Sequence, residues 1–299
     1  MVRKFIFSII CMSLFFAIFT VFSYAQEDQP PQRLLILGDS IAAGYGVAGE
    51  ESYAQLLADA KNFELSNFAF YGNDSVRLRW EVAQNHALRQ AIVGADVIVI
   101  SIGGNDFLLA EDGTLSSFIS RIARSMLGDI SFKPPIWDAF AERFAATITE
   151  IRALNPGATL IVQTVYNSAL PFPSLRRVFR TAIGGINAGI YDYLEQHPNA
   201  FHIADIYTAF ERQNGMIARD MVHPSAAGHA VIAHVLADVI AGTETPLPHA
   251  TLTVDILILR PVFWLVDFLV RVGLWVLLPV FFLKWSVVQK SAFIIKSSH

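Results

Sequence analysis

The sequence has almost no cysteine: a single thiol, Cys11, in 299 residues. Cys11 lies inside an apolar N-terminal run, behind the bulky Ile9 and Ile10 rather than the small residues of a lipoprotein site. Once that run is removed, neither a disulfide nor thiol chemistry is available. An excess of positive charge is missing too. The formal net charge is -4 and the pI is about 6.0, so no basic field is present to hold a nucleic acid. No repeat with a period of about 20–50 residues occurs, and the one low-complexity linker before the main domain is "QEDQPPQ", residues 26–32. His223, His229 and His234 do not have the spacing of a metal set.

What is abundant is apolar residues, 54% of the chain, with a mean hydropathy of +0.45. The excess sits at the two ends. Arg3 and Lys4 precede an uncharged run from Phe5 to Tyr24 that closes on Ser23-Tyr24-Ala25, a small-x-small cleavage pattern. Residues 1–25 therefore read as a secretory signal peptide, or as a signal anchor because the run exceeds the roughly 7–15 residues of a signal core. Either way the domain that follows is expected to be exported, in a periplasmic or extracellular setting. Near the C-terminus, residues 252–285 are apolar apart from Asp255, Arg260, Asp267, Arg271 and Lys284. On a helix Arg260, Asp267 and Arg271 fall within about 40° of one another, so they can share one stripe. This segment is expected to associate with a membrane by spanning it or lying in its interface, or else to form an oligomer contact. The tail, 286–299, carries Lys290 and Lys296, which would place it on the cytoplasmic side if the segment spans.

Between these ends the chain alternates two patterns. Short apolar or β-branched runs bounded by turn formers predict strands at Leu34–Leu37, Phe63–Phe68, Val97–Ile102, Thr159–Val165 and Phe201–Ile203. Helical stretches are expected at Ser52–Lys61, Ser75–Val93, Ile136–Leu154, Ser174–Gln196 and Pro224–Ile240. Repeated β-α alternation with nearly continuous apolar strands implies a parallel sheet covered on both faces. The ligand crevice of such a sheet lies outside the carboxyl ends of the strands. "GTETPLPHAT", residues 242–251, is a soft boundary before the apolar tail, so residues 33–241 are read as one domain.

Four stretches fall at those strand ends. "RLLILGDSIAAGYGV", residues 33–47, runs from a strand into Gly38-Asp39-Ser40 and further glycines. A serine there suits a nucleophile, although Asp39 or Ser40 could instead cap a helix. "NFAFYGNDS" (67–75) places Gly72 after the second strand, with Asp74 as a turn or cap residue. "VISIGGNDF" (99–107) places Gly104, Asn105 and Asp106 after the third. "RDMVHPSAAGHAVIA" (219–233) puts Asp220 and His223 in one short segment, with Pro224 in the first turn of the last helix.

In these four blocks, over about residues 33–241, the chain resembles the SGNH or GDSL-type esterase and lipase family. Its opening is similar to that of the bacterial acyl-thioesterase and arylesterase members. The resemblance implies a three-layer α/β/α, flavodoxin-like fold with a parallel sheet of about five strands. It also implies a nucleophile at Ser40, a triad completed by Asp220 and His223, an oxyanion hole built from Ser40, Gly72 and Asn105, and an acyl-enzyme mechanism without a metal or cofactor. The chemistry needs these types: serine is a weak nucleophile until a histidine accepts its proton, and a carboxylate must hold that imidazole. Asp39 is expected to be structural, Asp106 to satisfy nearby backbone donors, and His229 and His234 to be packing or surface residues.

The segments 107–137 and 166–179 are long and apolar-rich and could form a lid or acyl groove, since loops at this face carry specificity. Together with a membrane-associated tail, this favours a small-molecule or lipid acyl ester as substrate. Carbohydrate O-acetyl esters and acyl transfer remain open within the same chemistry. A tethered binding module that has kept the fold without turnover is the alternative of another class.

Overall fold

The computed structural model describes residues 30–108, 135–168, 173–220, 222–245 and 247. The proposed leader, the C-terminal apolar segment and tail, and most of the proposed lid stretches lie outside the described residues. Among the described residues no helix is long and apolar enough to cross a membrane.

Among the described residues five strands form one sheet: β1 (Arg33–Gly38), β2 (Glu64–Asn67), β3 (Val97–Ser101), β4 (Thr159–Gln163) and β5 (His202–Ala204). Their order is β2-β1-β3-β4-β5, and every pairing is parallel. The chain winds outward from β1 in one direction and from β3 in the other. The switch between them opens a crevice beyond the carboxyl ends of β1 and β3.

The helices are α1 (Tyr53–Lys61), α2 (Ser75–Gln84), α3 (His86–Gly94), α4 (Gly104–Leu108), α5 (Pro135–Leu154), α6 (Pro173–Gln196), α7 (Ile206–Glu211) and α8 (Ala226–Ala241). Strand periodicity sorts the core into two layers. Leu34, Ile36, Val97 and Val99 pack with Tyr53 and Leu57 of α1 and Val231, Ile232 and Leu236 of α8. Their neighbours Leu35, Leu37, Ile98 and Ile100 face the other way, onto Leu78, Ile92, Phe140, Phe144 and Ile186. Consecutive residues of a strand serve opposite faces, which is why β1, β3 and β4 read as unbroken apolar runs. β2, at the edge, has no fully buried residue.

Two sequence expectations need correction. The helix expected over Ser75–Val93 is two helices. Asn85 ends α2 and begins α3, its side-chain oxygen accepting the Leu88 N–H at 3.2 Å. A short amide that bonds its own backbone competes with helix continuation. Pro224 is not in the first turn of α8. It forms an antiparallel bridge with Ile217, and Ser225 caps the helix by accepting the Gly228 N–H at 3.1 Å. The short helices α4 and α7 carry too few residues for a periodic signal, so the sequence pattern predicts neither.

Candidate active site

The turn after β1 explains why an apolar strand ends in Gly-Asp-Ser. Gly38 pairs with Ser101 across the β1–β3 junction, at a φ of +154°. A Cβ there would lie 2.3 Å from the Ser101 carbonyl oxygen and 2.9 Å from the Ala42 Cβ. Only glycine lets the two strand ends approach so closely. The chain then turns tightly: Ala43 N–H donates to the Asp39 carbonyl and Tyr45 N–H to the Ser40 carbonyl, both at 2.9 Å. Asp39 stabilises this turn from within, its Oδ1 accepting the Ile41 N–H at 2.9 Å. It is buried beside a small cavity lined by Ser101, Gly104, Gln163 and Tyr166. Burial, opposed in part by the backbone donors, pushes the Asp39 carboxyl up to about 7.

Ser40 is brought to His223, 183 residues away in the chain, and so to its neighbour Asp220. The Ser40 hydroxyl and His223 Nε2 are 2.8 Å apart, and His223 Nδ1 lies 2.6 Å from Asp220 Oδ2. The other carboxylate oxygen accepts the backbone N–H groups of Val222 and His223, each at 3.0 Å. Partial burial works against the charge on Asp220. The two backbone donors and the His223 imidazole outweigh it and hold the carboxyl below its ordinary value. An ionised carboxylate only accepts, so Nδ1 carries the hydrogen, and Nε2 of the neutral ring is left to accept from Ser40. The segment is fastened from outside by the buried Tyr166, whose hydroxyl donates to the Val222 carbonyl at 2.7 Å. Ala218 N–H adds a bond to the His223 carbonyl at 2.8 Å. The exposed Tyr45 ring rests 4.4 Å from the imidazole, and Tyr71 meets Tyr45 edge-on at 5.2 Å.

Gly72 and Asn105 come from two other strand ends. Gly72 occupies an exposed turn at a φ of +73°. That turn is latched to β1, because the Gly38 carbonyl accepts both the Phe70 N–H (3.3 Å) and the Asn73 side-chain amide (2.9 Å). Asn105 is the second residue of α4, and its amide donates to the Asn73 carbonyl at 2.7 Å. Asn73 is thus the joint between the two, fully buried. Nothing in the sequence marks it, because Asn-Asp after a glycine is an ordinary turn pair. Asp74 caps α2 by accepting the Arg77 N–H at 2.9 Å.

Asp106 accepts the Ser75 N–H at 2.9 Å, and also contacts the Ser75 hydroxyl and Arg143. His229 is buried, its Nδ1 accepting the Tyr53 N–H at 3.2 Å. Burial, aided by the charge of His223, lowers it to about 4. Among the described residues no three His, Cys, Asp or Glu side chains converge as a metal-holding group.

The pattern of the GDSL-like Lipase/Acylhydrolase family matches residues 36–231. The chain belongs to that family. A relative, the uncharacterized protein YpmR of Bacillus subtilis (strain 168), is 25% identical over 229 residues, covering 70% of this chain and 82% of its own length. Among solved structures, the lipase Lip_vut3 from a goat rumen metagenome superposes with a TM-score of 0.53 at 21% identity, covering 70% of this chain and 97% of its own. Phospholipase A1 from Streptomyces albidoflavus NA297 superposes with a TM-score of 0.50 at 18% identity, covering 72% and 100%. These likenesses establish the SGNH hydrolase α/β fold, and the family makes the chain a hydrolase of the ester-acting kind.

Proposed function

We propose that the chain is an exported serine esterase or lipase that hydrolyses carboxylic acyl esters through an acyl-enzyme on Ser40. The observation that carries this reading is the unbroken relay Asp220–His223–Ser40, with contacts of 2.6 and 2.8 Å.

In the proposed reaction His223 Nε2 takes the Ser40 proton as Oγ attacks the ester carbonyl, and Asp220 stabilises the imidazolium that forms. The tetrahedral intermediate carries its negative charge into the space between the backbone N–H groups of Ser40 and Gly72 and the Asn105 amide. One amide hydrogen of Asn105 is committed to the Asn73 carbonyl, and an amide nitrogen has a second to offer. The imidazolium returns its proton to the leaving alkoxide. Water then attacks the acyl-enzyme by the same route in reverse, and Ser40 is restored.

A lipid or other acyl ester is the proposed substrate class. The mouth beside His223 supports it, where Tyr45 and Tyr71 stand exposed and offer an apolar border to a substrate chain. Export and membrane association rest on the sequence: the charged-then-apolar N-terminus and the apolar segment 252–285.

The test is labelling of purified protein with a serine-reactive fluorophosphonate, beside turnover of a p-nitrophenyl ester series from acetyl to palmitoyl. The expected result is labelling lost in Ser40→Ala and His223→Ala, with turnover peaking beyond acetyl. Activity confined to acetyl esters, with ready cleavage of acetylated sugars, would replace the lipid reading by carbohydrate deacetylation. A folded protein that neither labels nor turns over any ester would point to a binding module.

A further inference from the structure

The proposed oxyanion donors stand on three segments that meet only in the fold, and a displacement of about 1 Å at such a site can cost roughly 10² in rate. Something must set the spacing between the Gly72 turn and Asn105. The Asn105–Asn73 bond joins them directly, but one neutral bond at the edge of the crevice is a weak brace. A second connection lies just behind it. Asp106, next to Asn105, has a side chain that is 1% exposed, and Ser75, three residues after Gly72, opens α2. One Asp106 oxygen accepts the Ser75 N–H at 2.9 Å and the other is bonded by the Ser75 hydroxyl. Both are gripped from a third element. Arg143 of α5 directs Nε to the Ser75 hydroxyl oxygen at 2.7 Å and Nη2 to Asp106 Oδ1 at 3.2 Å.

We propose that Arg143 is a positioning residue for the oxyanion hole: through Ser75 and Asp106 it holds the Gly72 turn and Asn105 at the separation the transition state requires. This rests on the hydrolase reading given above. The guanidinium touches no reacting atom, and its leverage comes from where its two partners sit. A planar fork with donors in fixed directions can span a hydroxyl and a carboxylate at once, which a lysine ammonium on a flexible stem does less well. Without Arg143 the buried carboxylate loses its only charged partner in this bracket. It can be relieved by taking up a proton or by moving toward water, and movement carries Asn105 with it.

A purely structural ion pair predicts something different, and a double-mutant cycle separates the two. Loss of one oxyanion donor typically costs about 10²–10³ in kcat, and Asn105→Ala is expected to fall in that range. Arg143→Ala is expected to lower kcat about 10- to 100-fold with KM changed less than about 3-fold, the signature of an interaction used only in the transition state. Placed on Asn105→Ala, the same substitution should cost clearly less than it does in the wild type, because one of the two donors whose separation it sets is already gone. Arg143→Lys should recover part of the loss. If Arg143→Ala does not fold, Ser75→Ala removes only the hydroxyl that the arginine grips and should show the same pattern at smaller size. Wild-type kcat in both variants, or a loss that multiplies in full on Asn105→Ala, would overturn the proposal.

A substrate-free readout keeps this separate from the hydrolase reading. In ¹H–¹⁵N spectra the Asn105 side-chain amide pair should shift in Arg143→Ala and Ser75→Ala. If the wild type cleaves no ester, the hydrolase reading fails, and the spectra still decide the bracket: unmoved Asn105 signals would overturn it.

Discussion

Asp39→Asn should make the protein more stable at pH 7.5 and leave it nearly unchanged at pH 4. The carboxyl sits inside the Gly38-Asp39-Ser40 turn, 3% exposed, and burial raises it from 3.8 to about 7. The sign follows from proton binding. Between about pH 4 and pH 7 the folded protein holds a proton at Asp39 that the unfolded chain has released. Its contribution is therefore most favourable below pH 4, declines as pH rises, and is constant above about 7. At about 1.4 kcal/mol per pH unit, the full span is roughly 4 kcal/mol. Asparagine mimics the protonated acid at every pH. Its oxygen can keep the Ile41 N–H, and its amide can face the cavity lined by Ser101 and Gln163.

His229 acts in the opposite sense over nearly the same window. Burial lowers it from 6.5 to about 4, so the unfolded chain gains a proton first as pH falls. That withdraws roughly 3 kcal/mol between pH 6.5 and 4. In the wild type the two slopes largely cancel, and the variant should expose the His229 slope alone. Urea unfolding of wild type and Asp39→Asn at pH 4, 5.5, 6.5 and 7.5 measures the difference directly. A loss of stability in Asp39→Asn that is the same at every pH would refute the reasoning, since the carboxylate would then be favoured in place.

Asp220→Asn should lower kcat by about 10²–10⁴ with the fold retained, because an amide no longer fixes the imidazole tautomer; steady-state ester kinetics and thermal melts on one sample check both halves. Gly38→Ala forces a Cβ to within 2.3 Å of the Ser101 oxygen, and should cost about 3 kcal/mol or more, read as a lowered urea midpoint. Gly72→Ala meets no atom within 4 Å but must hold a φ of +73°, so about 1–2 kcal/mol of backbone strain is expected, with a fall in kcat as the turn relaxes. Tyr166→Phe removes the bond to the Val222 carbonyl. It should cost about 1 kcal/mol and slow fluorophosphonate labelling of Ser40, because the segment carrying His223 loses its anchor.

Much of the fold was legible because its signals are local. An unbroken apolar run such as Leu34–Leu37, bounded by turn formers, reads as a strand covered on both faces, and five strand-like runs alternating with helical stretches leave a parallel sheet as the economical arrangement. The edge strand β2 was legible despite its exposure because turn formers bracket it. Element ends were less so: Asn85 splits a helix whose apolar rhythm runs through it, and Pro224 joins a bridge before Ser225 caps α8. In both places a side-chain bond to the backbone outweighs the periodic pattern.

The candidate site divides in the same way. Ser40, Gly72, Asn105, Asp220 and His223 stand in short blocks whose residue types state a chemistry, and order along the chain sufficed to group them. Asn73, Tyr166 and Arg143 carry no such mark. An arginine in the middle of an amphipathic helix is ordinary in sequence, and only the packing of α5 against α2 and α4 turns it toward Ser75 and Asp106. By itself the sequence determined which residues are candidates for the proposed chemistry, because reactivity belongs to residue type and local pattern. Only the tertiary structure decided what holds them at working distance, because those contacts join segments about 30 to 180 residues apart, and no local pattern records such a meeting.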